Sequence, residues 1–310
     1  MVKKTSAPTK QPTKDLRPII ILGIAGLAAL LAIVWGSLTS TNPDKLFWTA
    51  INNTLSTKSV SQKLVDQQND SITLLYDVAN PKQAKVATKV VYPASQIEID
   101  GYGSGQNTYV RLVSDASLYK DTPSLQQLFN RWVQIRNGGK LPGTYSEVNG
   151  LDGNTEPRQV LFGDIIFGNF DTKEQQTLVK YIRDHKVYSY DKRKVKDSTY
   201  DGQDTKEYIV SLNKDALRNL NAQMAPLFGF SAQEVTDGFD KGTHPATATW
   251  EIATKSKELI GVKVSIGSDK NATTYYKYNS TDVGSEPKAD IQWDAYAALM
   301  LSAQSDLINL

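Results

Sequence analysis

Cysteine is absent from the chain. That excludes a disulfide framework, a thiolate metal site, a cysteine nucleophile and a lipid anchor attached through an N-terminal cysteine. Histidine is scarce, with only His185 and His244 present, too few for a histidine-built metal centre. No surplus of one charge exists: 35 basic residues face 33 acidic ones. A nucleic-acid binder usually carries a clear basic excess, so that partner class is set aside. No internal repeat and no low-complexity linker interrupts the 310 residues. What remains, 40% apolar and 22% charged, is globular composition, too apolar for a wholly disordered chain.

The charge is placed unevenly. Residues 1–17 carry Lys3, Lys4, Lys10, Lys14 and Arg17 against Asp15 alone, and no charged residue follows until Asp44. Within that gap 18–38 reads PIIILGIAGLAALLAIVWGSL. A helix rising about 1.5 Å per residue needs about 20 such residues to cross a bilayer core. The stretch therefore predicts a transmembrane helix, with Trp35 at its outer interface and the basic tail 1–17, which has no apolar periodicity, disordered in the cytoplasm. The rest of the chain is then extracytoplasmic on a single-pass anchor in the cell membrane. Gly36-Ser37-Leu38-Thr39-Ser40 could also be cut as a signal-peptide end, although the apolar run is longer than the usual about 7–15 residues.

Beyond the anchor, Asn42-Pro43-Asp44 is a helix start, with Leu46, Phe47, Ala50, Ile51 and Leu55 on one face. Ile72, Leu74, Tyr76 and Val78 alternate with mostly polar neighbours; Val86, Val90 and Tyr92 follow, then Ile97 and Ile99. A turn is expected at 101–107, then a strand with Tyr109, Val110, Leu112 and Val113. Such period-two segments predict an antiparallel meander. One or two helical turns at 123–130 lead into RWVQIR at 131–136, and 137–157 reads as a long loop. Asp171 to Glu174 is a capping box opening a helix with Leu178, Tyr181 and Ile182 on one face. Strands at 187–197 and 204–212 precede a helix capped by Asn213, with Leu217, Leu220, Met224 and Leu227 at helical spacing. Ser231 and Glu234 open a shorter helix, strands follow at about 246–254, 258–267 and 271–280, and a helix over 291–309 aligns Tyr296, Leu299, Met300, Ala303 and Leu307. This order is that of an α+β protein with a mainly antiparallel sheet.

Catalytic patterns are weak. Gly101-Tyr-Gly-Ser-Gly105 has the glycines of a phosphate loop but no lysine after them, and lacks the spacing of a nucleophile elbow. His185 ends a basic helix, where a cation suits the helix dipole, and His244 falls in a turn. The acidic stretches 152–156 and 237–240 lack calcium-loop spacing. No enzyme, no cofactor and no metal site is expected.

Several segments together resemble a family. Asp201-Gly202 with KEYIVSLNKDALRNL at 206–220, TATWEIATKSKELIGVKVSI at 247–266, TTYYKYN at 273–279, NTYVRLVSD at 107–115 and RWVQI at 131–135 stand in the order of the LolA/LolB-like and LppX/LprG-type lipid-binding envelope proteins. The resemblance covers about residues 44–283 and is a pattern of strands and turns. The chain departs from it in having no lipid-bearing cysteine, in its helical anchor and in the helix at 291–310. The resemblance implies a curved antiparallel sheet, a half-barrel over 42–290, with helices on the concave face and an apolar space between them for acyl chains. Candidate lining residues are Ile72, Leu74, Tyr76, Val90, Ile97, Ile99, Leu112, Leu217 and Met224. Each would look the same in a dry core. The expected function is lipid binding, as carrier or sensor, with membrane lipid and envelope proteins as partners. The alternative is an envelope interaction module with a closed core.

Overall fold

The computed structural model describes residues 42–65, 71–94, 96–104, 107–119, 122–137, 162–242, 244–266, 270–279 and 282–308. The basic tail, the apolar run at 18–38 and the loop expected at 137–157 (apart from its first residue) lie outside these residues. Among the described residues no helix is long and apolar enough to cross a membrane.

Helix α1 (Pro43–Leu55) begins with proline and Asp44 in its first turn and buries Leu46, Phe47, Ala50, Ile51 and Leu55 along one face. A meander follows: β1 (Ser59–Val65), β2 (Ser71–Asp77), β3 (Lys85–Tyr92), β4 (Ile97–Ser104) and β5 (Asn107–Val113). The four-residue α2 (Pro123–Gln126) and β6 (Val133–Arg136) come next. Helix α3 (Thr172–Asp184) opens on the expected capping box: Glu174 N donates to Asp171 Oδ1 at 2.8 Å, and Asp171 N donates to Glu174 Oε2 at 2.9 Å. Then follow β7 (Tyr188–Tyr190), β8 (Lys196–Tyr200), β9 (Gln203–Leu212), α4 (Lys214–Met224, capped by Asn213) and α5 (Ala232–Lys241, capped by Ser231). Strands β10 (Thr247–Ala253), β11 (Leu259–Ile266) and β12 (Lys270–Tyr278) precede the last helix, α6 (Trp293–Ile308).

All pairings between these strands are antiparallel. They form one open, curved sheet in the order β6-β5-β4-β3-β2-β1-β12-β11-β10-β9-β7, with β8 also on β9. Strands β7 and β8 share one edge of β9, at Val210–Leu212 and Gln203–Glu207. The strand expected at 187–197 is thus two strands, broken by a short helical turn at Lys192–Lys194 whose start Asp191 caps by accepting from Arg193 N.

Two further expectations are corrected. Strand β1 was not read from the sequence, because SVSQKLV has no strict alternation; the sheet holds it between β2 and β12. The turn expected at 101–107 is shorter, since β4 runs on through Gly101, Tyr102 and Gly103 to Ser104. Pairing with both neighbours keeps these glycines extended despite their low strand propensity.

One face of the sheet, here called inner, carries two separate cores. The larger joins α1, α3, α4 and α5 to β1–β3, β7 and β9–β12. Phe47 sits near its centre, fully buried, with the rings of Tyr190, Tyr208 and Trp250 at 4.5, 5.5 and 5.6 Å. The smaller core joins Val110, Leu112, Val133 and Ile135 to Leu128, Phe129 and, from α6, Trp293, Tyr296 and Ala297. The stripe expected on this helix is therefore led by Trp293 and Tyr296; the side chains of Ala303 and Leu307 lie outside the described residues.

Candidate functional site

Antiparallel register settles which face each candidate residue takes, because directly paired residues share a face. Leu64 pairs with Ile72, Ile72 with Val90, Val90 with Ile99 and Ile99 with Leu112, so one apolar row crosses five strands. The neighbouring row runs Gln62, Leu74, Thr88, Gly101, Val110, and the next Val60, Tyr76, Val86, Gly103, Thr108. Ile97 pairs with Tyr92 on the same face. All seven strand candidates thus lie on the inner face, which α4 covers with Leu217 and Met224.

They do not line one space. Tyr76, Leu217 and Met224, 0–1% exposed, are packed inside the larger core, with the Tyr76 hydroxyl donating to Gln62 Oε1 at 2.8 Å. Leu112 belongs to the smaller core. Ile72, Leu74, Val90, Ile97 and Ile99 occupy the strip between. Leu74 touches the larger core and Ile99 the smaller, while Val90 is buried and belongs to neither.

Within that strip two inner-face positions of β4 carry no side chain, a place here called the notch. Gly101 and Gly103 present no side chain on the inner face of β4, and their paired neighbours Thr88 and Thr108 flank them. Both threonines are buried, and neither hydroxyl has a hydrogen-bond partner. A buried hydroxyl without a partner costs about 1–3 kcal/mol, so two beside one notch mark a place where a polar ligand atom is favoured. The sequence carried a signal for it: Gly101, Gly103 and Tyr102 alternate with period two, as in a strand.

The outer face is built differently. After β12 the segment 282–290 passes over this face to Trp132, where Asp290 N donates to the Trp132 carbonyl at 2.7 Å and Trp132 N donates to Asp290 Oδ2 at 2.9 Å. Midway, Glu286 accepts from Ser104 Oγ, Asn107 Nδ2 and Tyr109 OH at 2.8–2.9 Å. Burial opposes the charge on Glu286, but these donors, Tyr109 first, outweigh it and hold the carboxyl below the ordinary glutamate value. Burial and then the same carboxylate push the Tyr109 phenol up to about 12. Between strap and sheet lies a cavity of about 480 Å³, lined by Leu75, Ala87, Tyr102, Trp132, Val283 and Pro287 among others.

At the other end the outer face is closed. The Tyr200 ring lies over Gly261, where a Cβ would collide with it, and stacks on Tyr275 at 5.3 Å. The buried Glu251 beneath accepts from Thr205 Oγ1 and Lys263 Nζ, each at 2.8 Å.

Neither histidine is placed for catalysis. His185 Nδ1 lies 3.1 Å from the Tyr181 carbonyl, its ring stacked on Tyr181. His244 Nδ1 lies 2.6 Å from Asp164 Oδ1 and its Nε2 2.8 Å from the Phe239 carbonyl, so both ring nitrogens are engaged. Burial disfavours the His244 cation, yet Asp164 and the carbonyl more than compensate and raise its pKa. The Asp164 partner was invisible in the sequence, being 80 residues away. Among the described residues no group of three or more His, Asp or Glu could hold a metal ion.

No family model matches the chain, and no curated protein matches it. Among solved structures it is similar to a LolA superfamily protein from Nitrosomonas europaea, at 10% identity over 79% of this chain and 94% of that one, with a TM-score of 0.25.

Proposed function

We propose that this chain is a membrane-anchored extracytoplasmic protein that binds a lipid or lipid-like amphiphile on the inner face of its sheet, as carrier or sensor. The observation that carries the reading is the notch at Gly101 and Gly103. It sits beside the apolar row Ile72, Val90 and Ile99, with the unpartnered hydroxyls of Thr88 and Thr108 at its sides. An acyl chain along the row gains about 0.8 kcal/mol per buried CH₂, and an ester or carboxyl oxygen can accept from either threonine. The charge-free run 18–38 behind five basic residues supports the anchor, and with it access to membrane lipid and to envelope proteins as exchange partners.

The full chain, purified in a mild detergent and extracted into organic solvent, should release one amphiphile in near-stoichiometric amount by mass spectrometry. Gly101→Val, which fills the notch, should abolish it with the fold retained. Equal recovery from both proteins overturns the inner-face site. A lipid-free extract from both, with no uptake of a fluorescent fatty acid, would leave the closed-core interaction module, which the tight packing of Tyr76, Leu217 and Met224 favours. The absence of cysteine makes the address testable. Ser256→Cys, an exposed position, should react with a membrane-impermeant maleimide on intact cells, and Ser6→Cys should not. The reverse pattern overturns the anchor orientation.

A further inference from the structure

The outer-face cavity belongs to neither core, and of the inner-face residues used above only Thr88 and Gly101 are also among its lining. Its walls come from three directions: the sheet supplies Leu75, Ala87 and Tyr102, the β6 approach supplies Trp132, and the strap supplies Val283 and Pro287. The strap is fastened on both sides of the space, by Glu286 and by Asp290, so the roof is held by named bonds. A volume of about 480 Å³ is within the range of small-molecule sites, which are mostly apolar with a few placed polar groups.

The charges around it are not balanced. On the floor Asp100 is paired with Arg111, whose guanidinium lies 4.8 Å over the Trp132 ring, and Lys89 is paired with Glu98 at 2.6 Å. Toward β1 the balance changes. Lys63 pairs in register with Thr73, a wall residue, and Lys277 lies across Ser61 from Leu75. Both lysines are exposed, on the outer face, and neither has an ion-pair partner among the described residues. Glu286 accepts from Ser104, Asn107 and Tyr109 of the sheet, Asp290 accepts from Trp132 N, and Asp282 accepts from Gly284 N. The side of the cavity toward β1 thus carries two exposed lysines, Asp77 and Glu286 stand near Tyr102, and the remaining walls are aromatic and aliphatic.

We propose that the space beneath the strap is a second ligand site, distinct from the inner face, for a small anionic amphiphile. Its apolar body would lie against Ala87, Tyr102 and Trp132, with its acidic group toward Lys63 and Lys277.

The test uses the full chain reconstituted in phosphatidylcholine vesicles, with protein-free vesicles as the background. The probes are anilinonaphthalene sulfonate and the uncharged phenylnaphthylamine, which share an aromatic body and differ in the anionic group. The sulfonate should bind saturably, with energy transfer from tryptophan, and more tightly than the neutral probe. Ala87→Phe, which fills the cavity, should weaken it by at least about tenfold. Lys63→Glu, at an exposed position where folding is not at issue, should weaken the sulfonate by at least about threefold and leave the neutral probe unchanged. Wild-type affinity in Ala87→Phe, or equal loss of both probes in Lys63→Glu, overturns the proposal. Gly103→Val, on the inner face and not among the residues lining the cavity, separates this site from the inner one: sulfonate binding should persist in it, and its loss there would place the probe on the inner face and overturn the outer site.

Discussion

At the β9–β11 end of the sheet, the inner face is covered by helices made between neighbouring strands: α3 before β7, and α4 and α5 between β9 and β10. At the β4–β6 end the local helix α2 has four residues, and the cover comes from α6, after a strap that first crosses the outer face. The first end is closed on both faces, with Phe47 inside and Tyr200 over Gly261 outside. The second has a notch on one face and a cavity on the other. A face covered by several long helices closes tightly, whereas one covered by a single late helix opens locally at lower free energy. The candidate ligand space lies in the second kind of region, where rearrangement costs least.

The largest expected effect tests the closed end. Phe47→Ala removes a fully buried ring touching four others and should cost about 3–5 kcal/mol, read as a lower urea midpoint for the whole domain. Trp293→Ala has similar chemistry at the open end, but its effect should be local. Hydrogen exchange should speed up in β5 and β6 and leave β9–β11 protected; equal acceleration at both ends breaks the comparison.

Gly261→Ala should destabilise by about 1–3 kcal/mol, because the Tyr200 ring must leave its stacking on Tyr275 to admit the methyl group. Ala87→Phe on the same outer face, over the cavity, should leave the melting temperature nearly unchanged. Similar losses for the two would erase the distinction between a filled and an open outer face.

Acid and base should act on the two ends in opposite senses. Glu286 has a folded pKa below its ordinary 4.5, so its fastening of the strap is complete above that value and is lost as pH falls through the lowered pKa. His244 has a folded pKa above its ordinary 6.5, so its contribution is complete below 6.5 and is lost as pH rises through the raised one. Limited proteolysis at 282–290 should accelerate in acid, and Glu286→Gln should flatten that response. His244→Gln should flatten the alkaline decline in stability while leaving the strap unchanged. The smallest effect is expected from Tyr296→Phe, which removes a buried hydroxyl without a partner and should be neutral or stabilising by up to about 1 kcal/mol in thermal melts.

Much of this fold is written in local pattern. The caps at Asp171, Asn213 and Ser231, the alternation in β2 and β3 and the last three strands are near-neighbour signals, and the elements form where those signals stand. Strand β1 has no strict alternation, because Gln62 stands between Val60 and Leu64 on the inner face and Val65 among the polar positions, and it is a strand because β2 and β12 supply both sets of hydrogen bonds. Gly101 and Gly103 read as a turn because glycine is common in turns and depleted in strands, although their alternation with Tyr102 fits a strand. The candidate residues were drawn from a list of apolar side chains, and chemistry alone does not divide such a list. Packing divided it, sending Tyr76, Leu217 and Met224 to one core and Leu112 to another, and leaving Ile72, Leu74, Val90, Ile97 and Ile99 between.

By itself the sequence determined the composition that rules out thiol chemistry and a histidine-built metal centre, the charge-free run expected to anchor the chain, and most helix and strand positions. These depend on residue type and on spacing over a few residues. The tertiary structure alone decided that β12 joins β1, that 282–290 crosses the outer face, that Asp164 meets His244 and that two threonine hydroxyls are buried beside a notch. Each of these brings together groups far apart in the chain, and which distant groups meet is set by how all the faces are buried at once.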